Sequence, residues 1–482
     1  MLCKKMGMAW SGRRLSLVAA WLTLISQMPV APAWTQEARA DAFLQDQAAR
    51  QHIPGLSVTV VRTGAVVFAR SYGLANLENS VAATADTVYL LGSVTKTFTA
   101  TAIMLLEEEG RIQLDEPFVD YIKDLSLPEH LAHITVRQLL SHTSDITDFT
   151  DIPGSVQFAR MDRLPKDVVR DALALPLLFK PGGQFRYSNS NYILLGMIIE
   201  RLAGKRLGAF LEQRIFHPLH MASTRMQNLR ALVPHRASGY NWIDGKWLNA
   251  DYVSSANLYA AGGAISSVLD LVKWDEALFS GKVVKPATLA KMMSAAALPG
   301  GEHSHYGLGL ELLTDRGHAI VGHAGETFGF NATLYHYLDD RLRVIVLTNQ
   351  GDAATEFLAK SLAAIFLGLS EMSYRNRNEI PDPEPRFAAI LQRVIQGAAK
   401  GMVDESSFTA SAGRELGPLI TRAGPELLAS KGALKGIALL DRAQEGQTLV
   451  LVFRAGFSNE NLIWTMRVGK DGKITGLEPQ PE

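Results

Sequence analysis

The stretch LLGSVTKTFTATAIMLLEEEG, Leu90 to Gly110, sets Ser93, Thr95 and Lys96 at the head of an otherwise apolar helical pattern. A lysine one turn after a serine, on a helix whose other residues belong in a core, needs a chemical reason. Residues three apart share one face of a helix and can touch. A serine hydroxyl is a weak nucleophile until a neighbour takes its proton, and a lysine desolvated among apolar side chains has a lowered pKa and can do so. A serine in the first turn also aims its own N–H and the positive helix end at the reaction centre. By itself the S-x-x-K spacing fits a capping serine and a surface lysine just as well.

Two further stretches change that balance. FKPGGQFRYSNSNYILLGMIIE, Phe179 to Glu200, puts Tyr187, Ser188 and Asn189 directly before an apolar helix. Side chains at a helix start project into whatever lies above it. There a tyrosine can relay protons and an asparagine amide can grip a substrate carbonyl. A packed aromatic and a capping residue are the plainer alternative. IVGHAGETFGF, Ile320 to Phe330, places His323, Ala324 and Gly325 beside a strand. Glycine lets this backbone pass close to a ligand, so the N–H of Glu326 can join that of Ser93 as an oxyanion hole.

The rest of the chain limits the setting. Its 482 residues suffice for a large catalytic domain plus a smaller one. Lys+Arg and Asp+Glu balance at 48 each, so no basic surface points to nucleic acid, and a small-molecule or short-peptide substrate fits better. Residues 1–33 read as a signal peptide: Lys4, Lys5, Arg13 and Arg14 precede an apolar run from Leu15 to Ile25, with cleavage expected after Ala33. That run is shorter than the ~20 residues of a membrane span, so a periplasmic or secreted product with no lasting span is expected. The Arg13-Arg14 pair also matches a twin-arginine signal. Cys3, the only cysteine, lies in this segment, which leaves the mature chain without thiol catalysis, disulfides or thiolate metal sites.

Strand patterns fall at both ends of a long region. Gly55 to Gly73 reads as a hairpin turning at Thr63-Gly64, and Phe330 to Gln350 as a pair turning at Asp339-Asp340, followed by a helix from Ala353 to Leu367. An α+β fold follows: an antiparallel sheet assembled from both ends, with helices packed on it. Residues 36–372 form this domain. Polar, proline-bearing residues 373–386 read as a linker, and 387–482 as a small α+β domain with an amphipathic helix from Phe387, strands near Thr448–Phe453 and Leu462–Val468, and a turn at Asp471-Gly472.

In order and position the three stretches resemble the S-x-x-K, Y-x-N and K/H-x-G motifs of the penicillin-recognising serine hydrolases, the group of class C β-lactamases, DD-peptidases and family VIII esterases. ITVRQLLSHTSDITDF (Ile134–Phe149), IFHPLHMASTRM (Ile215–Met226), AAGGAISSVLDLVKW (Ala260–Trp274) and YGLGLEL (Tyr306–Leu312) extend the likeness across Gln36 to Leu369. The resemblance implies Ser93 as acylated nucleophile, Lys96 as its proton partner, Tyr187 as general base, Asn189 as substrate clamp and His323 as the third-motif residue. It also implies a helix-flanked antiparallel sheet with an all-helical subdomain, the site between them, and no cofactor. His323 stands where class C β-lactamases usually keep lysine, which argues against firm binding of a β-lactam carboxylate. Asp145 stands where many relatives have glycine and is expected to place a charge near the cleft rim.

Other classes fit less well. The histidine pairs His130/His133, His217/His220 and His303/His305 lack an acidic partner at a zinc-site spacing, and Ser93 is not in a G-x-S-x-G elbow. A penicillin sensor or structural protein on the same fold is the non-enzyme alternative, and a pure scaffold would not need Ser93, Lys96 and Tyr187 together. The expectation is a serine hydrolase cleaving amide or ester bonds in short peptides or small esters, with a true β-lactamase as the alternative; the oligomeric state is left open.

Overall fold

The computed structural model describes residues 35–123, 125, 127–301, 303–369 and 377–482, so the expected signal peptide lies outside it. Among the described residues no helix is long and apolar enough to cross a membrane. Helix α1 (Gln36–Arg50) starts at Thr35, whose hydroxyl accepts the Ala38 N–H. Strands β1 (Gly55–Arg62) and β2 (Ala65–Asn76) follow as the expected hairpin. Its turn residues Thr63 and Gly64 both take positive φ, 49° and 85°, the twist that suits a two-residue hairpin.

Strand β3 (Val81–Ala82) extends one edge, and helices α2 (Thr95–Glu108), α3 (Asn189–Ala203), α4 (Ser255–Gly262) and α5 (Val268–Phe279) lie between the two strand groups. The second group is β4 (Glu311–Asp315), β5 (His318–Thr327), β6 (Phe330–Tyr337) and β7 (Leu342–Thr348), followed by α6 (Thr355–Leu367). The seven strands form one sheet in the order β3-β2-β1-β7-β6-β5-β4. The two ends of this domain meet in its middle, where β1 pairs antiparallel with β7 from Leu56↔Thr348 to Arg62↔Leu342.

Both faces of this sheet are covered. Leu56, Val58, Val60, Val344 and Val346 pack with Ala40, Leu44, Leu358 and Leu362 of α1 and α6. Ile345, Leu347, Val321 and Leu334 face the helical body instead. One face of β1 carries Leu56, Val58 and Val60 and the other Ser57, Thr59 and Val61, and all six are buried. Every residue of α2 from Thr95 to Leu106 is buried, so this helix is the axle of the helical body. Phe98 anchors it, 4.6 Å from Trp274 and 5.2 Å from Phe216 between ring centroids. Such pairs are each worth ~0.5–1.5 kcal/mol beyond burial.

A separate C-terminal sheet domain follows. Helices α7 (Arg386–Ala398) and α8 (Ala410–Ala429) pack on an antiparallel sheet of β8 (Leu434–Glu445), β9 (Thr448–Phe457), β10 (Asn461–Val468) and β11 (Ile474–Pro481). Phe387, Leu391, Phe453, Trp464 and Met466 form its core. Of the expected linker, the described residues from 377 onward are tied to β8: Ile380 N–H donates to Leu439 O at 2.9 Å and Arg377 meets Asp441 at 2.5 Å. These residues belong with the small domain.

Contacts between the two domains include Arg422 of α8 with Thr150 (3.4 Å) and Asp151 (3.8 Å), and Lys360 with Glu478 (3.8 Å). Exposed pairs such as Arg422–Asp151 contribute only ~0–1 kcal/mol each. A chain ending at Leu369 should therefore stay folded and still react at Ser93 with a fluorophosphonate, as read by intact mass and a thermal melt. Retained solubility with complete loss of labelling would instead place part of the site in the C-terminal domain.

Candidate active site

Ser93 sits in a short 3-10 turn, Gly92–Val94, that runs straight into α2. Strand β5 passes against this turn backbone to backbone. A Cβ at Gly92 (φ 52°) would lie 2.9 Å from Glu326 N, and one at Gly325 would lie 2.2 Å from Leu91 O and 2.7 Å from Ser93 N. Only glycine fits on either side of that contact. The peptide N–H groups of Ser93 and Glu326 are thereby gathered at one corner.

Lys96 is fully buried and its amine spends all its donors: on Ser93 Oγ at 2.9 Å, Asn189 Oδ1 at 2.8 Å and Ala261 O at 2.8 Å. Burial pushes its pKa down to about 7, with Asp148 and Glu311 pulling the other way. The Ala261 carbonyl is delivered by a kink in α4, where Tyr259 takes the strained angles φ 32°, ψ −128°. The ring of Tyr187 lies 4.9 Å from the amine. Burial holds the phenol well above its ordinary pKa, although Ser93 beside its hydroxyl acts to lower it, so it is a neutral hydroxyl in the free site. Asn189 is already engaged: Oδ1 accepts from Lys96, while its Nδ2 and peptide N–H donate to Asp148 Oδ2 at 2.8 and 2.9 Å.

The segment from His142 to Asp148 acts as a template for the loop carrying Tyr187. Thr143 O accepts the Gly182 N–H at 2.7 Å, Ser144 Oγ meets Asn191 Oδ1 at 2.7 Å, and Thr147 O accepts from Ser190 Oγ at 2.8 Å. Asp145 is buried, not a rim charge. Its carboxylate accepts the N–H groups of Leu178 and Phe179 and pairs with Arg186 at 2.8 Å. It takes φ 62°, the conformation for which glycine is the usual residue, and offsets that strain with these bonds.

His323 is 1% exposed, and both ring nitrogens are occupied. Nε2 lies 2.8 Å from the Tyr306 hydroxyl, and Nδ1 lies 2.5 Å from Ala324 O and 3.4 Å from Glu311. An acceptor at Nδ1 fixes the proton there, leaving Nε2 to accept from tyrosine. Burial, then the nearby Lys96, lowers the His323 pKa to about 3, so the ring stays neutral. Glu311, whose Oε2 accepts the Ala324 N–H at 3.3 Å, is pushed up to about 8 by burial and then by Glu356. The third motif thus offers a substrate carboxylate no cation. Among the described residues no cluster of three or more His, Cys, Asp or Glu is arranged to hold a metal ion.

The structure brings together Ser93, Lys96, Tyr187, Asn189, His323, Gly325 and the Glu326 backbone. His142, Asp148, Tyr306 and Glu311 join them without having been singled out as site residues. Their stretches, HTSDITDF and YGLGLEL, carried the signal, but which side chain turns inward depends on tertiary placement.

Helix-flanked antiparallel sheet, S-x-x-K at a buried helix start and Y-x-N beside it define the penicillin-recognising serine hydrolase class. The chain belongs to the Beta-lactamase family, whose match spans residues 40–367. It is 27% identical over 314 residues to Penicillin-binding protein 4* of Bacillus subtilis, covering 61% of this chain and 68% of that protein. Other curated relatives align over as little as 40% of their own length. A D-stereospecific amidohydrolase from Streptomyces superposes with a TM-score of 0.59 at 27% identity, covering 69% of this chain and 99% of that one. The octameric penicillin-binding protein homologue from Pyrococcus abyssi shares the fold over 92% of this chain and 96% of its own, with a TM-score of 0.62 at 24% identity.

Proposed function

We propose that this chain is an exported serine hydrolase that cleaves amide or ester bonds in short peptides, including those with D-residues, or in small esters, through an acyl-enzyme on Ser93. The observation that carries the reading is the buried Lys96 amine, 2.9 Å from Ser93 Oγ with a pKa of about 7. Neutral Lys96 takes the hydroxyl proton as Ser93 Oγ attacks the substrate carbonyl carbon. The N–H groups of Ser93 and Glu326 hold the oxyanion. Collapse of the tetrahedral intermediate expels the leaving group, which takes its proton from Lys96 by way of the Tyr187 hydroxyl. Water then attacks the ester carbon and gives up its proton to the same groups, which return it to Ser93 Oγ as the Oγ–acyl bond breaks and the acid is freed.

Its substrate preference follows from what the cleft lacks. With His323 neutral and enclosed and Glu311 beside it, a β-lactam or C-terminal carboxylate finds no cation at the third motif. Uncharged or amino-terminal substrates fit better, and the likeness to a D-stereospecific amidohydrolase supports an amide. Assayed side by side, p-nitrophenyl butyrate and a D-amino acid amide should be turned over clearly and nitrocefin slowly. A nitrocefin kcat/KM of ~10⁶ M⁻¹s⁻¹ or more, usual for an evolved substrate, would make the protein a β-lactamase instead. Acylation of Ser93 by nitrocefin without turnover of any of them would favour a penicillin-binding sensor, and no acylation at all a structural protein on the same fold.

A further inference from the structure

His142 holds the backbone on both sides of Tyr187. Its carbonyl accepts the Arg186 N–H at 2.8 Å, and its Nδ1 accepts the Ser188 N–H at 3.1 Å. Its ring stacks on the Tyr187 ring at 4.2 Å between centroids with 30° between planes. No other described contact touches the residues before and after Tyr187 and the tyrosine ring from a single side chain and its own backbone. The residue is fully buried and takes φ 55°, a conformation that a non-glycine residue adopts only where its surroundings over-determine it.

The chemistry of the ring fits a holding role. Because Nδ1 accepts, the neutral ring carries its proton on Nε2, and that nitrogen has no hydrogen-bond partner. It is enclosed instead by aromatic rings, Tyr306 at 4.8 Å and Phe185 at 6.1 Å between centroids. Burial, with Lys96 next, keeps His142 well below its ordinary pKa and so uncharged. An uncharged ring cannot stabilise a phenolate electrostatically, and it touches neither Ser93 nor Lys96 by hydrogen bond. A buried N–H left without an acceptor is costly, which a ring used only as filler would not need. An accepting Nδ1 is what the imidazole supplies that a phenyl ring would not.

We propose that His142 is a positioning residue for Tyr187, fixing the hydroxyl over Ser93 by clamping the peptide groups that flank the tyrosine and backing its ring. The proposal rests on the reading of Tyr187 as the proton relay of a Ser93 acyl-enzyme. Removing the Nδ1 acceptor frees the Ser188 N–H and lets the tyrosine drift from the serine. Substrate binding outside that contact is left in place. The loss should therefore fall on kcat rather than on KM.

The test compares His142→Phe, which keeps a flat ring but no acceptor, with His142→Asn, whose Oδ1 can accept where Nδ1 did. Active sites are titrated with a fluorophosphonate, p-nitrophenyl butyrate turnover is expressed per titrated site, and each variant is melted. His142→Phe should lose ~10–100-fold in kcat, the cost of a catalytic group displaced by about an ångström, with KM within about threefold. His142→Asn should recover kcat to within about fivefold of wild type, even at an equal loss of thermal midpoint. A merely structural role would lower both midpoints and leave kcat per titrated site unchanged. The proposal is overturned by a His142→Phe kcat within about threefold of wild type, or by His142→Asn performing no better than His142→Phe. Should His142→Phe not fold, a folded His142→Asn with kcat down more than ~10-fold overturns it alone, and retention within about fivefold supports it. Wild type that takes no label at Ser93 sinks the acyl-enzyme reading itself, whereas labelled wild type with an unaffected His142→Phe sinks only this inference.

Discussion

Ser93→Ala should abolish the single fluorophosphonate adduct seen by intact-mass spectrometry in the wild type, and with it nearly all turnover. The residual rate should be no more than ~10³–10⁴ over water, the part that oxyanion stabilisation and binding supply without a nucleophile. The adduct is expected on this serine because its hydroxyl lies 2.9 Å from the buried Lys96 amine, with the Tyr187 ring 4.9 Å from the same amine. Its position adds to this, since the 3-10 turn leading into α2 brings the Ser93 N–H against β5. An unmodified wild type with measurable hydrolysis would end the acyl-enzyme reading. The variant should remain folded, because a hydroxyl-to-hydrogen change leaves the apolar packing of α2 intact.

Lys96→Met should be nearly as severe, lowering the phosphonylation rate of Ser93 by ~10²–10⁴, the usual share of a positioned general base. The pH dependence makes this specific. Only the neutral amine can take the serine proton, so the wild-type rate should climb with pH through the lysine pKa of about 7 and level off above it. Lys96→Met should lack that rise. A variant that keeps the same inflection would show that another group titrates.

The same shift acts on stability in the opposite sense to a salt-bridged lysine. The folded pKa of Lys96 lies below its unfolded value of 10.5, so between about 7 and 10.5 the unfolded chain holds more protons. Its burial therefore weighs on the fold most fully below pH 7 and is relieved as pH rises toward 10.5.

What could be read from the sequence was local. Ser93 and Lys96 are one helical turn apart, and Tyr187 and Asn189 flank one helix start, so their proximity follows from spacing. The Thr63-Gly64 and Asp471-Gly472 turns carry their positive-φ glycines in the sequence itself. Helix α8 was hidden because Pro418 and Pro425 lie inside it and Gly413, Gly417 and Gly424 dilute its pattern. The environment of a residue was also hidden. His323 could be placed in its motif, but only packing shows that Tyr306 and Ala324 close off both its nitrogens. Asp145 looked like a surface charge for the same reason, since its partners Leu178, Phe179 and Arg186 come more than thirty residues later. Asp148 and His142 escaped notice because their bonds reach across to Ser188 and Asn189, a pairing that no periodicity encodes.

The central pairing of β1 with β7 has a consequence for how the chain is made. Gly55–Arg62 leaves the ribosome early, yet its neighbour Leu342–Thr348 emerges only when the catalytic domain is almost complete. Until then the strand that carries Leu56, Val58 and Val60 has one open edge and is paired only through its hairpin with β2. Such long-range closure is slow and leaves the nascent chain open to aggregation. The central sheet of the domain therefore closes only after its last strand has been made.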